Sequence, residues 1–407
     1  MYDVIVVGAR AAGAPAAMLF ARSGYRVLLV ERAAFPKDTL STLYLHQPGV
    51  ALLDRWGVLD EVVATGCPPI DRVRYTTGDV TLEGCSWPVQ GHHRAYAPRR
   101  HLLDAVLADA AVRAGAEFRD NCRVTGLVFD GDRVSGVRLR SGGAGETVER
   151  ATLVIGADGM RSTVAAAVRA PLVVEDSTLA CVYYTYWESL TSTFELYDTP
   201  GHWVGLVPTN DETTLIAAYF PQQEFGRIRN DVRRSFLTGI EQTSPEVRAR
   251  MADGRNVERM FGTGDQRNFF RQAAGPGWVL IGDAGHHKDS ITARGITDAF
   301  TQAQLLADCV GADLRDPARL RAALDRFAER RTALLLPEYR NTLATAKLDP
   351  PEHRMEMLRA ISTSQKLTDR FFSTWSGACP VDDFVTGELL DLVEARETML
   401  RGAAQGL

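Results

Sequence analysis

The chain has 407 residues, 45% of them hydrophobic and 24% charged, with a formal net charge of −5. This composition excludes a disordered or fibrous protein, and at about 150 residues per domain it predicts two or three units. The basic residues are scattered, which argues against nucleic acid as a partner. The six cysteines form no C-x-x-C pair, so neither a zinc site nor a redox dithiol is expected and no metal is assigned. Such cysteines suit a reducing cytoplasm.

Residues 3–7 (DVIVV) are a β-branched run ending at Gly8, as in a buried parallel strand before a turn. No basic segment precedes the run and Asp3 interrupts it, so it reads as a strand, not a leader. Residues 12–23 predict a helix stopped by Gly24, and 25–31 (YRVLLVE) a second strand, giving a βαβ unit. Residues 73–98 are strand-like and turn-rich, and after Pro98 a helix is expected with Leu102, Leu103, Val106 and Leu107 on its apolar face. The runs 124–128 and 133–139 flank Gly131-Asp132 as a hairpin, and TLVIGADG at 152–159 is another strand ending in glycine. Strand-type sequence resumes over about 173–220. WVLIGD at 278–283 is a strand opening into a glycine turn and a long helix from about 296. Beyond 315 the sequence is helical, with breaks predicted at Pro337, Pro350-Pro351 and Pro380. No stretch approaches the roughly 18 apolar residues of a membrane span.

The first turn reads Gly8-Ala9-Arg10-Ala11-Ala12-Gly13. Glycines at such a turn let a pyrophosphate approach the backbone at a helix N-terminus. Arg10 replaces the middle glycine, so the backbone there must either splay or place the guanidinium near the phosphates. Glu31, 18 residues after Gly13, stands where an acid bonds the ribose hydroxyls, with Arg32 beside it. This unit marks a dinucleotide site without separating FAD from NAD.

Two further glycine turns follow predicted strands: Gly156-Ala157-Asp158-Gly159-Met160-Arg161-Ser162 and Gly282-Asp283-Ala284-Gly285-His286. With these three motifs in order, residues 1–345 resemble the FAD-dependent group A aromatic hydroxylases and their relatives, the geranylgeranyl reductases and flavin halogenases. The resemblance implies that Gly282 and Asp283 hold the FAD ribitol and that Asp158 and Gly159 support the flavin and the reductant's pyrophosphate. It further implies that Arg100 reaches the FAD phosphates, Val124 borders adenine, and the loop containing Lys37 and Thr42 runs beside the flavin. The helix beginning at Gly295 and Ile296 would then point its N-terminus at the flavin pyrimidine. Ser290 stands where relatives have proline, and Ala165 where they have arginine.

The fold class implied is α/β: a doubly wound, FAD-binding Rossmann-like domain (1–72, 99–172 and 266–345), an inserted mostly antiparallel β-sheet substrate domain (73–98 and 173–265), and a helical C-terminal region (346–407). The activity implied is hydroxylation of an aromatic or electron-rich small molecule through a flavin hydroperoxide, with O2 and with NAD(P)H as transient reductant. Tyr184, Tyr186, Trp203 and Tyr219 are the candidate substrate residues. His286, Lys288 and His46 are the candidate acid–base groups. The runner-up is an alkene reductase of the geranylgeranyl type. A halogenase is disfavoured, because Gly205 replaces the second tryptophan of the halogenase motif and the chain has only four lysines. A binding protein without redox work would have no use for both later turns. The helical tail, with Phe371, Phe372, Trp375 and Phe384, is expected either to cap the pocket or to build a homodimer face, and a separate flavin reductase is the other partner considered.

Overall fold

The computed structural model describes residues 1–142, 145–190 and 192–394. One sheet runs in the order Ala274–Gly275, Trp278–Leu280, Thr147–Gly156, Tyr2–Val7, Val27–Val30 and Glu117–Arg119. Tyr2–Val7 lies at its centre, parallel to both neighbours, with Val6 opposite Leu29 on one side and Ile155 on the other. Its unbroken β-branched sequence follows from this placement, since both faces are covered. Helices Gly13–Arg22, Arg100–Arg113 and Gly295–Val310 cover one face, closing over Val4, Val6, Leu29 and Ile155 with Phe20, Leu107 and Phe300. The hairpin Cys122–Asp130/Arg133–Ser141 and the short helix Thr163–Ala167 cover the other, where Leu127, Val137 and Val164 meet Ile5, Leu28 and Val154.

The second sheet runs Arg255–Asn256, Ala180–Glu188, Thr213–Pro221, His202–Pro208, Phe194–Thr199, Val73–Thr77 and Val80–Gly84, with Phe261–Thr263 also pairing with Ala180–Glu188. Phe194–Thr199 against Val73–Thr77 is its parallel contact; the other pairings are antiparallel. Strand alternation divides the aromatics. Tyr184, Tyr186, Trp203 and Tyr219 face one layer. Tyr183, Trp187 and Phe220 face the other, against helices Val232–Thr243 and Pro245–Asp253.

The break expected at Pro337 does not occur, because helix Pro317–Ala346 runs through it. A proline costs the helix one internal hydrogen bond, and the buried Leu335, Glu338, Tyr339 and Thr342 on either side hold the turn in place. Helices Glu352–Ile361 and Gln365–Ser376 follow. The second docks through a polar seam: Gln365 Nε2 donates to the Glu83 carbonyl (3.1 Å), Cys85 N to Asp369 Oδ1 (3.0 Å) and Trp87 N to Ser373 Oγ (2.8 Å). Residues 395–407 of the expected helical tail lie outside the described residues. Among the described residues no helix is long and apolar enough to cross a membrane.

Candidate active site

A cleft of about 570 Å³ opens where the strands Tyr2–Val7 and Thr147–Gly156 end in their glycine turns, the edge at which open α/β sheets bind ligands. Gly8, Arg10, Ala12, Glu31, Arg32, Thr42, Arg100, Val124, Asp158, Gly159, Gly282, Asp283, Gly295 and Ile296 line it. The first turn closes only because its two end positions, Gly8 and Gly13, lack side chains. A Cβ on Gly13 would stand 1.8 Å from the Gly8 carbonyl oxygen, and one on Gly8 (φ +101°) 2.4 Å from that of Ala157. Gly13 therefore shapes the cleft without lining it.

Cations gather beside this turn. Arg10 lines the cleft, and its Nη1 is buried with no hydrogen-bond partner among the described residues. Arg100 is held by Asp104 at 3.0 Å from each carboxylate oxygen. Burial pushes the Asp104 carboxyl up against the opposing pull of Arg100 and Arg10. The Glu31 carboxylate accepts from Ala9 N (3.2 Å) and Ala33 N (3.1 Å). Asp283 is exposed at the cleft wall, and its carboxylate has no hydrogen-bond partner among the described residues. Asp158 differs: its carboxylate accepts from Ser162 Oγ (2.5 Å), Thr163 N (2.6 Å) and Val164 N (3.2 Å), capping the helix Thr163–Ala167. It holds its own turn in shape, and both its oxygens are already engaged. A guanidinium nitrogen of Arg10 without a partner among the described residues, beside a turn closed by glycines and with free and engaged carboxylates at the two ends, fits an extended dinucleotide.

Beyond Asp283 the wall is made by His286–Ser290. His286 is 3% exposed, its ring packed on Phe270 and Tyr339. Burial and the neighbouring Lys288 hold it well below the usual histidine range, and it lines the cleft with Nε2 lacking a hydrogen-bond partner among the described residues. Lys288 pairs with Asp298 (2.7 Å) inside the wall. Asp289 is buried too. It accepts from Ile291 N (3.1 Å) and Gln266 Nε2 (3.3 Å), and burial raises its carboxyl to about 7.

A second, apolar cavity of about 40 Å³ adjoins the cleft, and Thr42 and Ala293 line both. Phe194, Leu196, Trp203, Gly205, Val207, Leu215, Ala217 and Tyr219 form its floor, and Trp375 of the helix Gln365–Ser376 closes one side. His46 lines this cavity instead of the cleft. Its Nε2 lies 3.2 Å from the Thr292 carbonyl. Burial and Arg294 lower it to about 3, so it is a neutral donor anchored to that carbonyl.

Three expectations move. Tyr184 lines the cleft, not the apolar cavity. Tyr186 lines neither, since the Arg99 guanidinium covers its ring at 4.0 Å and is itself held by Asp38 and Glu258. Lys37 is exposed and lines neither cavity, because its loop is pinned by the adjacent Asp38. No sequence signal marks Gln266 and Asp298, which long-range packing brings in.

The model of the family described as FAD binding domain matches residues 1–335. The chain belongs to this family. Among similar proteins, the digeranylgeranylglycerophospholipid reductase of Methanocella arvoryzae is 28% identical over 341 residues, covering 82% of this chain and 83% of the relative. The 6-methylpretetramide 4-monooxygenase of Streptomyces rimosus is 28% identical over 345 residues, covering 81% and 80%. The structure of the flavin-dependent brominase Bmp2 superposes with a TM-score of 0.79 over 98% of this chain and 99% of that one, at 17% identity, a likeness of fold. The chain is therefore an FAD-dependent oxidoreductase on a Rossmann-type flavoprotein fold.

Proposed function

We propose that this flavoprotein is a monooxygenase that hydroxylates a small aromatic or similarly electron-rich molecule, with O2 and with NAD(P)H as reductant. The observation that carries this reading is the apolar cavity beside the cleft. Its lining is apolar, and at about 40 Å³, where a water needs about 10–15 Å³, it is far too small for a prenyl chain. None of the four lysines is among the residues that line it, which speaks against a halogenase that must capture an oxidised halogen there.

In this reading Arg10 and Arg100 meet the pyrophosphate, Glu31 the adenosine ribose and Asp283 the ribitol. When bound, FAD supplies two-electron transfer and, once reduced, the reaction with O2. The N-terminus of helix Gly295–Val310, whose first residues line the cleft, would offer its amides and partial positive charge to a bound flavin. Thr42 and Ala293 form the threshold between cofactor and substrate, and the apolar floor excludes water from the reacting carbon. The assignment of residues 73–98 and 173–265 as the substrate-binding unit belongs to the same reading.

Asp289 favours a second reading, an alkene reductase. A carboxyl titrating near 7 in the cleft wall could give up a proton beside a hydride donor. One experiment separates the two. The FAD-loaded protein is reduced with NADH or NADPH and mixed with 18O2 and a panel of phenols, anilines and indoles. Transfer of 18O into a product is expected. Peroxide as the sole oxygen product, together with anaerobic saturation of a prenyl alkene, would favour the reductase.

A further inference from the structure

We infer that the apolar cavity seats a flat, uncharged ring on the strip made by Gly205 and Ala217, with a hydrogen-bond donor of that ring directed at the Tyr219 oxygen. This deepens the hydroxylase reading and rests on it. Strand register makes the strip. Gly205 pairs with Leu196 on one side and Ala217 on the other, while the pairs Trp203–Tyr219 and Val207–Leu215 rise at its two ends. All of these residues line the cavity. A sheet floor with its smallest residues side by side, bounded by large ones two positions away, is a groove for a planar group. A Cβ on Gly205 would meet only Leu196 Cδ2 at 3.4 Å, an ordinary contact, so the glycine is not there for backbone packing. The space is open toward the cavity.

The polarity follows from counting protons. Gln266 Nε2 donates to the Ala180 carbonyl (3.2 Å) and to Asp289 Oδ2 (3.3 Å), which turns its Oε1 toward Ser290. Ser290 N (3.2 Å) and Ser290 Oγ (2.6 Å) both donate to that oxygen. A serine hydroxyl has one proton. With it committed to Gln266, the bond of 2.9 Å between Ser290 Oγ and Tyr219 Oη must be donated by Tyr219. The tyrosine oxygen then has only lone pairs left to offer. A hydroxyl or amino N–H on the ring satisfies it, whereas an ether or carbonyl oxygen does not. Among the described residues, His46 is the one titratable side chain lining the cavity besides Tyr219, and it is neutral, so a charged ring substituent would find no counterion among them.

The test uses FAD-loaded protein and quenching of tryptophan fluorescence, since Trp203 and Trp375 both line the cavity, with phenol, toluene and benzaldehyde as probes. Phenol should bind about 10-fold more tightly than toluene, the factor that one hydrogen bond supplies. Tyr219→Phe should abolish that preference while leaving toluene unchanged. Ser290→Ala frees the tyrosine proton and should raise benzaldehyde affinity several-fold. Gly205→Val should weaken all three probes with an unchanged circular dichroism spectrum. Equal binding of phenol and toluene, a preference that survives Tyr219→Phe, or a Gly205→Val variant that binds as before would each overturn the proposal and leave the hydroxylase reading standing. Failure of every ring to bind the loaded protein would overturn both.

Discussion

Lys288 Nζ stands 2.7 Å from Asp298 Oδ2, and each side chain is only 4% exposed. Arg294 Nε lies 3.5 Å from the other oxygen of the same carboxylate. Burial acts against the Asp298 charge, but the two cations outweigh it and hold the carboxyl at about 2. Stability from this group is therefore present above the ordinary aspartate range near 4 and is lost as pH falls toward 2. Lys288→Met removes one partner and leaves the carboxylate buried with Arg294 alone. The expected loss is about 3–5 kcal/mol, read by urea denaturation of the apoprotein at neutral pH. Adding Asp298→Leu should recover most of it. A Lys288→Met protein as stable as its parent would show that the pair does not support the fold.

Asp283 presents the opposite case, an exposed carboxylate without a partner among the described residues. Asp283→Ala should leave the apoprotein within about 0.5 kcal/mol of the parent, as for most surface changes. Loss of a charge-assisted bond to the ribitol should weaken FAD binding by roughly 10- to 100-fold. Melting temperature and FAD titration, measured side by side, check the two halves. A variant that purified with full flavin occupancy would remove Asp283 from the cofactor site.

The turns were legible because most of their constraints are local. The crowding that forbids a side chain on Gly13 comes from Gly8, five residues earlier in the same turn, whereas Gly8 is crowded by Ala157 of the second glycine turn, a neighbour that no local rule supplies. Glu31 follows from the length of one helix and one strand. The substrate side was legible only in part. Alternation correctly divides the aromatics of the second sheet between two faces, but no local rule says that Arg99, arriving from another element, will cover Tyr186. Likewise, Trp375 reaches Trp203 from 172 residues along the chain, and Pro337 is carried through a helix by packing that propensity does not see. What the residues do through distant neighbours stayed hidden, and the apolar cavity is built from such neighbours.

Trp375 packs on Phe371 (4.9 Å between ring centroids), Tyr75 (5.2 Å) and Trp203 (5.9 Å) while lining the cavity. Trp375 is only partly buried, so Trp375→Ala should lose up to about 3 kcal/mol, below the range for a fully buried aromatic, and should open the substrate side to water. Iodide quenching of the remaining tryptophan fluorescence should rise as Trp203 becomes accessible. If stability falls but quenching stays the same, Trp375 packs the helix without closing the cavity.

The last prediction turns on Asp289, which burial raises to about 7 although the amides of Ile291 and Ala180 favour its charged form. In the unfolded chain the same carboxyl titrates near 4. The folded state therefore holds the proton more tightly, and the stability this group contributes is complete below about pH 4 and disappears as pH rises through 7. Three units correspond to roughly 4 kcal/mol at most. Asp289→Asn cannot titrate, though it sacrifices the bond from Gln266 Nε2 by setting two amide donors face to face. The variant should be less stable than the parent at pH 5, and the gap should narrow or reverse by pH 8. Urea midpoints of both apoproteins across that range give the answer, and a gap independent of pH would mean that Asp289 is ionised throughout.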